Sequence, residues 1–588
     1  MLRLSVGLLI GAAALAQPAA PLRTARVTGR VVKPNGDPLR RATVTLLGTE
    51  NYTVNADANG AFALDNIAPG AYALIAQRMG YASQKYGAAG PLVRSCSGLD
   101  NAGLQASRAA GGPDPISRFR PCIERAPGTM LSLTAGSEMK DLIIRVTQHG
   151  LISGKVLNQD GEPVPGVVMA MKAGYERGAR RLVIETSSAI GPDGEYTVDD
   201  LPPGPYYLRA MSGSMMAING SATIITGSTM IITGMASSLD RPGKTAPEAD
   251  VATYYPSELD ETKAASVEVK PGEEAAGVDV LLRRTRVFSV RGTVSAPPGG
   301  GAGTAMVTLA PKGALSEPFN SARGVVAANG AFEIRNVDPG TYVISCTRQG
   351  ATPTLYLRQD VVVSAADVEG VNLTPVQGVA VTGTVKVEGV NSGTWPNLTL
   401  MAPDGGFGSG SATFDSKGAF TFRMPVAPLE YEVRLGALPP GTYVKSIRYG
   451  NRDALHGLLD LTGGAAGSLD IVLSSRVAAL TGKVKNATDG AAAGVLVTAW
   501  PRKAEAEGGV HSASTDQNGA FKIADLGPGD YFVAAWEDID PGLADSPEFL
   551  GRFRNDATAV AIEEGGRASA DLKLIPRQRI DPEVAKLP

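Results

Sequence analysis

The amino-acid sequence predicts an all-β protein built from five tandem antiparallel β-sandwich domains. Short strands with period-two alternation of apolar residues run along the chain, helical periodicity is nearly absent, and one turn motif recurs five times. The copies are DANGAF (57–62), GPDGEY (191–196), AANGAF (327–332), DSKGAF (415–420) and DQNGAF (516–521). A chain of 588 residues also exceeds what one hydrophobic core holds, so several domains are expected.

Each domain opens with an alternating strand that has a glycine at its centre. These strands are VTGRV (27–31), ISGKV (152–156), VRGTV (290–294), VTGTV (381–385) and LTGKV (480–484). In the motif turn that follows, the glycine is expected to take a positive φ, and the aromatic residue two places later begins the next strand facing inward. The turn glycines are Gly60, Gly194, Gly330, Gly418 and Gly519.

A Pro-Gly pair and a tyrosine come next, and a last strand closes the domain. The tyrosine follows the turn glycine by twelve residues in four copies, whereas the fourth copy reads APLEY, lacks the glycine and places Tyr431 one residue later. The closing strands are KDLIIRV (140–146), GVDVLL (277–282), GVNLTP (370–375), SLDIVL (468–473) and SADLKL (569–574). Short strands bounded by turn residues are typical of a sandwich.

The five sets of openings, turns and closings predict the domain boundaries. A signal peptide is expected at 1–16 and a C-terminal tail at 578–588. The β-sandwich repeats are predicted at 24–147, 148–284, 285–375, 376–474 and 475–577, called repeats 1 to 5 below. Repeat 2 carries an apolar insert at 211–238, in which TIITGS and MIITGM form an internal duplication. That insert either packs on its own domain or offers an edge to a partner. Short linkers such as 148–150 and 283–286 suggest an elongated, semi-rigid rod.

The stretch TDQNGAF (515–521) is compatible with a calcium loop or a hairpin turn, and the residues favour the turn. A helix-loop-helix calcium site needs oxygen ligands at positions 1, 3 and 5 and a glutamate at position 12. Counted from Asp516, those last two positions are Ala520 and Gly527. The third copy also has Ala327 in place of the aspartate, so a metal site is not expected.

The N-terminus predicts export. Arg3 precedes an apolar run from Leu4 to Leu15, and Ala14-Leu15-Ala16 suits cleavage before Gln17. A membrane anchor is the alternative, but the run is short for a span, and no later stretch is apolar for long enough to cross a bilayer. The protein is therefore expected in the periplasm, at the cell surface or secreted. With a formal net charge of -3, the chain has no excess of basic residues that would favour binding to nucleic acid or to an anionic membrane.

The three cysteines agree with an exported protein. Cys96 and Cys122 lie in one glycine-rich segment, and a bridge between them would stabilise the fold by about 3.5 kcal/mol in the chain-entropy model. Two unbridged thiols are the alternative. Cys346 stands in an apparent strand and is expected to be a small buried apolar residue.

The order of motifs G-x-V, G-x-P-[LV]-x-x-A/G, [DN]-G-x-[FY] and P-G-x-Y resembles the carboxypeptidase regulatory-like domain. This family is a transthyretin-like β-sandwich, similar in shape to Cna-B and starch-binding-like modules. Repeats 1, 2 and 5 match best, whereas repeat 3 has APPGGGAG (296–303) in place of the second motif and repeat 4 lacks its Pro-Gly. The resemblance implies this fold and an extracytoplasmic setting. It implies no peptidase activity, because the regulatory module is an appendage to a separate catalytic domain.

No residue pattern predicts an enzyme or a cofactor. The three histidines, His149, His456 and His511, fall in unmatched contexts without zinc-peptidase spacing, and no G-x-S-x-G, Walker-type or dinucleotide motif is present. Cna-B-like domains often join a first-strand lysine to a last-strand asparagine. Here Lys155 and Lys483 face closing strands with aspartate, and alternation along the strand points Lys155 to water, so solvated lysines are favoured over a cross-link.

Ligand binding is the remaining function class. Sugar-binding sandwiches display loop aromatics that stack on a sugar ring. The candidates are Tyr81, Tyr86, Tyr254, Tyr255, Trp395, Trp536, Phe549 and Phe553. The alternative is that they anchor the long connection before the closing strand. We therefore expect an exported, non-catalytic binding or structural protein with a glycan or an extracytoplasmic protein as partner, or else an accessory subunit of a separate enzyme. A third alternative is an enzyme whose site is assembled between repeats, against which the scarcity of histidine argues.

Overall fold

The computed structural model confirms an all-β chain with very little helix. It describes residues 24–48, 50–92, 127–176, 179–212, 248–295, 306–312, 322–327, 329–348, 355–374, 376–389, 393–403, 411–436, 438–464, 467–503 and 509–587. The expected signal peptide, both Cys96 and Cys122, and residues 213–238 of the insert lie outside these ranges.

Repeat 1 consists of two facing sheets. Its strands are β1 (Ala25–Val32), β2 (Thr43–Leu47), β3 (Asn51–Asn55), β4 (Ala61–Ile67), β5 (Gly70–Arg78), β6 (Tyr81–Lys85), β7 (Met130–Leu133) and β8 (Glu138–Arg145). One sheet has the order β4-β1-β8, and the other has the order β3-β2-β5-β6, with β7 also paired to β5. The closing strand β8 runs parallel to β1, so the sandwich departs from the antiparallel expectation in this pair.

Repeats 2 and 3 follow the same plan. In repeat 2 the strands are β9 (Gly150–Leu157), β10 (Gly166–Glu176), β11 (Ala179–Ile190), β12 (Glu195–Leu201), β13 (Gly204–Ser212), β14 (Glu248–Asp250), β15 (Thr253–Tyr254), β16 (Ser266–Val269), β17 (Glu274–Ala275) and β18 (Val280–Leu281), with a 3-10 turn at Glu261–Lys263. After the linking strand β19 (Arg284–Arg286), repeat 3 has β20 (Phe288–Val294), β21 (Met306–Pro311), β22 (Ala322–Val325), β23 (Ala331–Val337), β24 (Gly340–Arg348), β25 (Leu355–Val363), β26 (Val368–Leu373) and β27 (Val376–Gln377). Because β27 pairs with β25, residues 376–377 belong to the sheet of repeat 3.

Repeats 4 and 5 complete the series. Repeat 4 contains β28 (Thr382–Glu388), β29 (Leu398–Met401), β30 (Ala412–Phe414), β31 (Ala419–Phe422), β32 (Glu430–Leu435), β33 (Tyr443–Tyr449), β34 (Arg452–Asp453), β35 (Leu459–Asp460) and β36 (Leu469–Ser474). Repeat 5 contains β37 (Ala478–Lys485), β38 (Leu496–Pro501), β39 (His511–Ser514), β40 (Ala520–Leu526), β41 (Gly529–Trp536), β42 (Thr558–Ile562), β43 (Arg567–Ser569) and β44 (Leu572–Ile575). A separate hydrophobic cluster fills the sandwich in each repeat.

The central glycine of each opening strand is required by a close backbone approach. A Cβ added at Gly29 would lie 2.1 Å from the carbonyl oxygen of Leu142 in the closing strand. At Gly482 the same atom would lie 1.8 Å from the carbonyl oxygen of Ala570. In both repeats the ring of the turn aromatic also packs on the glycine, so any side chain there would displace a strand.

The recurring turn has one backbone geometry in all five repeats. The turn glycines have positive φ, from +71° at Gly60 to +87° at Gly418. In the fifth copy the N–H of Gly519 donates to the carbonyl of Asp516 (3.0 Å), and the N–H of Asp516 donates to Ala520 (2.7 Å). The Asp516 carboxylate also accepts from the N–H groups of Asn518 and Ala520, both at 2.8 Å. TDQNGAF is therefore a capped hairpin turn.

The tyrosine after each Pro-Gly makes the same hydrogen bond in every repeat, including the divergent one. Its buried or half-buried hydroxyl donates to the backbone carbonyl four residues earlier. The pairs are Tyr72 with Ala68, Tyr206 with Pro202, Tyr342 with Asp338, Tyr431 with Ala427 and Tyr531 with Gly527. Repeat 4 thus keeps this bond without its Pro-Gly pair, because the offset from carbonyl to tyrosine is unchanged.

Repeat 5 also carries helices that the sequence analysis missed. They are α1 (Pro541–Ala544), α2 (Pro547–Leu550) and α3 (Arg577–Val584), with a 3-10 turn at Gly551–Phe553. Asp540 caps α1 and Ser546 caps α2, each followed by proline at the first helical position. Helix α3 begins at the end of repeat 5 and runs through the first part of the expected tail, and its Ile580 is buried against α1 and α2.

The expectation of an elongated rod is wrong, because the last repeat packs on the first two. The N–H of Met130 in β7 donates to the carbonyl of Thr515, 3.2 Å away. Helix α1 of repeat 5 contacts the end of β10 in repeat 2, where Tyr175 joins the cluster around the helices. Short linkers set only the distance between neighbouring repeats, whereas these contacts join residues more than 360 positions apart.

Candidate functional site

The predicted stacking aromatics of repeat 5 are buried. Trp536 and Phe549 are each only 1% exposed, and their rings pack with Phe553 at centroid distances of 5.0 Å and 5.3 Å. A sugar ring needs an accessible aromatic face. Trp536, Phe549 and Phe553 lack that face, so the stacking role is wrong for them and they act as anchors of the helical connection.

The other predicted aromatics are partly covered and lie apart. Tyr81 and Tyr86 are half-buried against the core of repeat 1, and Tyr255 is half-buried against that of repeat 2. Tyr254 is 9% exposed, and the guanidinium of Arg209 lies 5.4 Å from its ring centroid.

Trp395 is also half-buried and stacks on Phe414 at 6.2 Å. Each of these rings makes contacts within its own repeat.

The strand positions considered for a cross-link hold hydrogen bonds in the structure. The backbone N–H of Lys155 donates to the carboxylate of Asp279 (2.8 Å), and its exposed ammonium pairs with Glu195 (3.3 Å). The N–H of Lys483 donates to Asp571 (3.2 Å). In both repeats the carboxylate of the closing strand thus accepts a hydrogen bond from the backbone N–H of the opening-strand lysine.

The cysteine and histidine residues that the structure describes do not form a metal-binding cluster. Cys346 is buried in β24, as predicted. His149 lies 3.2 Å from Asp200 in repeat 2, and His456 lies 2.8 Å from Asp453 in repeat 4. Within the ranges that the structure describes, no group of three or more His, Cys, Asp or Glu side chains is placed to hold a metal ion.

A cavity of about 380 Å³ lies where repeats 1, 2 and 5 meet. The loop 88–92 and Pro127 form its wall in repeat 1, and Tyr175 at the end of β10 contributes an aromatic side chain. Repeat 5 supplies an apolar wall and the polar groups. The apolar residues are Ile539, Pro541, Leu543, Ile580 and Val584. None of the predicted stacking aromatics lines this cavity.

The polar side of the cavity consists of three carboxylates and one guanidinium. Arg577 pairs with Asp538 at 3.1 Å and with Asp581 at 3.5 Å. The Asp540 carboxylate accepts from the N–H of Gly542 at 2.8 Å. Burial raises the pKa of Asp540, although the hydrogen bonds from α1 oppose that shift. Burial and the nearby Asp540 carboxylate likewise raise the pKa of Tyr175.

The arrangement suits a small polar ligand with an apolar face. Carboxylates accept and a guanidinium donates hydrogen bonds, so hydroxyl groups can be bound at this side in fixed directions. The aromatic and aliphatic walls can cover an apolar ring face. Sequence reasoning did not find this site because its members come from three repeats. A sequence signal for part of this site was the helix-capping pair Asp540-Pro541, because the capping position of Asp540 lies at the cavity.

The comparisons with known proteins concern the fold. Residues 26–93 match the family model of the carboxypeptidase regulatory-like domain, which confirms the resemblance for repeat 1. No curated protein matches the chain. No helix in the described ranges has the length and apolar character that crossing a bilayer requires.

Solved structures share only distant similarity with the chain. The TIE protein of Bacillus anthracis is 13% identical, over 71% of this chain and 73% of that chain, with a TM-score of 0.14. The major pilin subunit BcpA of Bacillus cereus is 10% identical, over 72% and 99%, with a TM-score of 0.14. The minor pilin GBS52 of Streptococcus agalactiae is 10% identical, over 47% and 100%, with a TM-score of 0.20. TM-scores this far below 0.5 are not evidence of a shared arrangement or function.

Proposed function

We propose that the protein is an exported, non-catalytic binding protein whose ligand site is the cavity between repeats 1, 2 and 5. The observation that carries this proposal is the composition of the cavity. An aromatic side chain, aliphatic walls, three carboxylates and one guanidinium line the same space. A saccharide unit has the matching chemistry, because its hydroxyls bind planar polar groups while its ring face packs on apolar side chains.

The proposal differs from the sequence expectation in the residues that bind. Tyr175 takes the stacking role that was expected of loop aromatics such as Tyr254 and Tyr255. Asp538, Asp540 and Asp581 provide the acceptors.

Binding of the purified mature chain to a glycan array and to soluble polysaccharides tests the proposal. The substitution Asp540→Asn retains a good helix cap and removes a charged acceptor, so we expect it to weaken saccharide binding at least tenfold. Tyr175→Ala should abolish binding. The matched control is Tyr86→Ala, which removes a half-buried tyrosine of repeat 1 that does not line the cavity. Equal binding by all these variants would contradict this site.

An accessory or scaffold role is the second candidate. It is favoured by the packing of repeat 5 on repeats 1 and 2, which turns a series of sandwiches into one body. Absence of binding to any saccharide would support this candidate over the first.

A further inference from the structure

Repeat 5 covers the outer edge of strand β7 in repeat 1. In addition to the bond from Met130 to Thr515, the side-chain amide of Gln517 bonds twice to one residue. Its oxygen accepts from the N–H of Ser132 (3.0 Å), and its nitrogen donates to the carbonyl of Ser132 (3.1 Å). The carboxamide therefore occupies the place of a neighbouring strand on an edge whose other side pairs with β5.

Among the five turns, only the fifth has a carboxamide at this position. The equivalent residues of the other copies are Ala58, Pro192, Ala328 and Ser416. A carboxamide can accept one hydrogen bond and donate another. The glutamine side chain can therefore bond to both the N–H and the carbonyl of one backbone residue. The contact is thus specific to the turn of the last repeat.

At two further places in this contact, a glycine allows the backbones of two repeats to approach each other closely. A Cβ at Gly542 in α1 would lie 2.0 Å from the carbonyl oxygen of Tyr175. A Cβ at Gly494 would lie 2.9 Å from the hydroxyl oxygen of Thr129, next to the hydrogen bond from the N–H of Gly128 to the Gly494 carbonyl (3.0 Å). Repeat 5 therefore fits repeats 1 and 2 at separate places.

The contact joins two unlike surfaces at opposite ends of the chain. We call the edge of β7 together with the end of β10 the receiving surface, and the turn 515–518 together with α1 the docking surface. Each molecule has one of each, so the interface is heterologous. Such a pair can close within one molecule or between two molecules with the same atoms in contact.

Exchange of repeat 5 has to open the join between repeats 4 and 5. Tyr443 of repeat 4 contributes to this join: its hydroxyl donates to the Glu564 carboxylate of repeat 5 at 3.3 Å, and its ring would lie 3.0 Å from a Cβ added at Gly527. Opening the join therefore exposes Tyr443, which is buried in the closed form.

We propose that the receiving surface also binds the docking surface of a second copy of this chain, so that two molecules exchange their fifth repeats. Within one chain the two surfaces are tethered to each other, so their contact does not depend on protein concentration. The closed monomer is therefore the form expected in dilute solution. Exchanged dimers form when the intramolecular contact is broken on one molecule and the complementary surface is supplied by another.

Two complementary variants of the full mature chain test this proposal. The first, Q517A/G542V, has a damaged docking surface and an intact receiving surface. The second, S132P/Y175A, removes the donor N–H of Ser132 and the Tyr175 side chain, and it keeps an intact docking surface. Each variant alone should be an open monomer with a radius of gyration larger than that of the wild type in small-angle X-ray scattering.

An equimolar mixture of the two variants has one intact pair of surfaces. We expect sedimentation analysis at several hundred micromolar to find a 1:1 complex with twice the monomer mass, because the first variant receives the fifth repeat of the second. Hydrogen exchange on the unaltered repeats checks that both variants are folded. The variant A58Q serves as control and should behave as the wild type.

Two outcomes would overturn the proposal. If both folded variants keep the wild-type radius of gyration, the named residues do not hold the closed form. If the variants open but the mixture stays monomeric, the surfaces do not bind between molecules.

Discussion

The turns of repeat 1 and repeat 5 have the same backbone and different roles. In both, an aspartate carboxylate accepts from two N–H groups at 2.8 Å: Asp57 from Asn59 and Ala61, and Asp516 from Asn518 and Ala520. In both, the glycine has a φ near +70°. The turn of repeat 1 points an exposed alanine to solvent, whereas that of repeat 5 uses Gln517 to pair with another repeat.

The difference shows that folding and docking are carried by different positions of one short motif. Aspartate and glycine determine the shape of the turn, because they satisfy its N–H groups and allow its positive φ. The second position has no part in that shape. It is therefore available to carry a contact that only one repeat makes.

The largest expected effect comes from the central strand glycine, which both repeats need equally. Gly29→Ala and Gly482→Ala each place a Cβ within about 2 Å of a closing-strand carbonyl oxygen. We expect each to lower the free energy of unfolding of its own repeat by about 3 kcal/mol or more. Hydrogen exchange on peptides of each repeat measures this.

The control for these variants is Gly463→Ala, where nothing lies within 4 Å of the added carbon. It should leave the exchange pattern unchanged. Equal effects of all three substitutions would show that steric approach to the closing strand is not the reason for the glycine.

The next effect concerns the tyrosine hydroxyl. Tyr72→Phe and Tyr531→Phe leave the carbonyls of Ala68 and Gly527 without this donor, at a cost of about 1–2 kcal/mol to each repeat. Thermal unfolding at pH 7 should show a lower transition for both, with the unchanged Tyr431 bond of repeat 4 as internal reference.

Tyr72 adds a pH dependence to the wild type. Burial, with a smaller contribution from Tyr52, raises the pKa of Tyr72 to about 12. A group whose folded pKa is raised contributes stability that is present below its unfolded pKa, near 10, and is lost as the pH rises towards 12. Repeat 1 should therefore lose stability between pH 10 and 12. In Tyr72→Phe this loss should be smaller, and an unchanged loss would assign it to other groups.

The smallest effect concerns the aspartate of the turn. Asp57→Ala and Asp516→Ala remove the acceptor of two N–H groups, so we expect each repeat to lose about 1 kcal/mol. Ala327→Asp should add a carboxylate acceptor to the turn of repeat 3, where the Asn329 side chain already accepts from the N–H of Ala331 at 3.1 Å. A difference between repeats 1 and 5 larger than this would mean that Asp516 also supports the contact through Gln517.

Several parts of the fold could be predicted because they repeat in the sequence. The positive φ of Gly330 and the burial of Phe332 follow from a motif that occurs five times and has one explanation. Repeat 4 shows the limit of motif reading. Its Pro-Gly is absent, yet Tyr431 keeps its bond to Ala427, since only the spacing of carbonyl and hydroxyl matters.

The candidate site could not be predicted in the same way. The aromatics Trp536 and Phe549 suggested a ligand because they follow the last motif tyrosine in a long connection. The structure buries them under helices that are too short to show periodicity, and only their capping residues, Asp540 and Ser546, mark them in the sequence.

The sequence by itself determined the local structure: alternating strands, hairpin turns and the glycines and tyrosines that each sandwich needs. These depend on interactions between residues close together in the chain or on patterns that recur. Only the tertiary structure decided that the chain closes on itself and where a cavity forms. Both depend on surfaces brought together from residues hundreds of positions apart, such as Ser132 with Gln517 and Tyr175 with Gly542. A pattern that recurs in the sequence reveals interactions within each repeat, whereas a contact that is made only once in the molecule produces no recurring pattern.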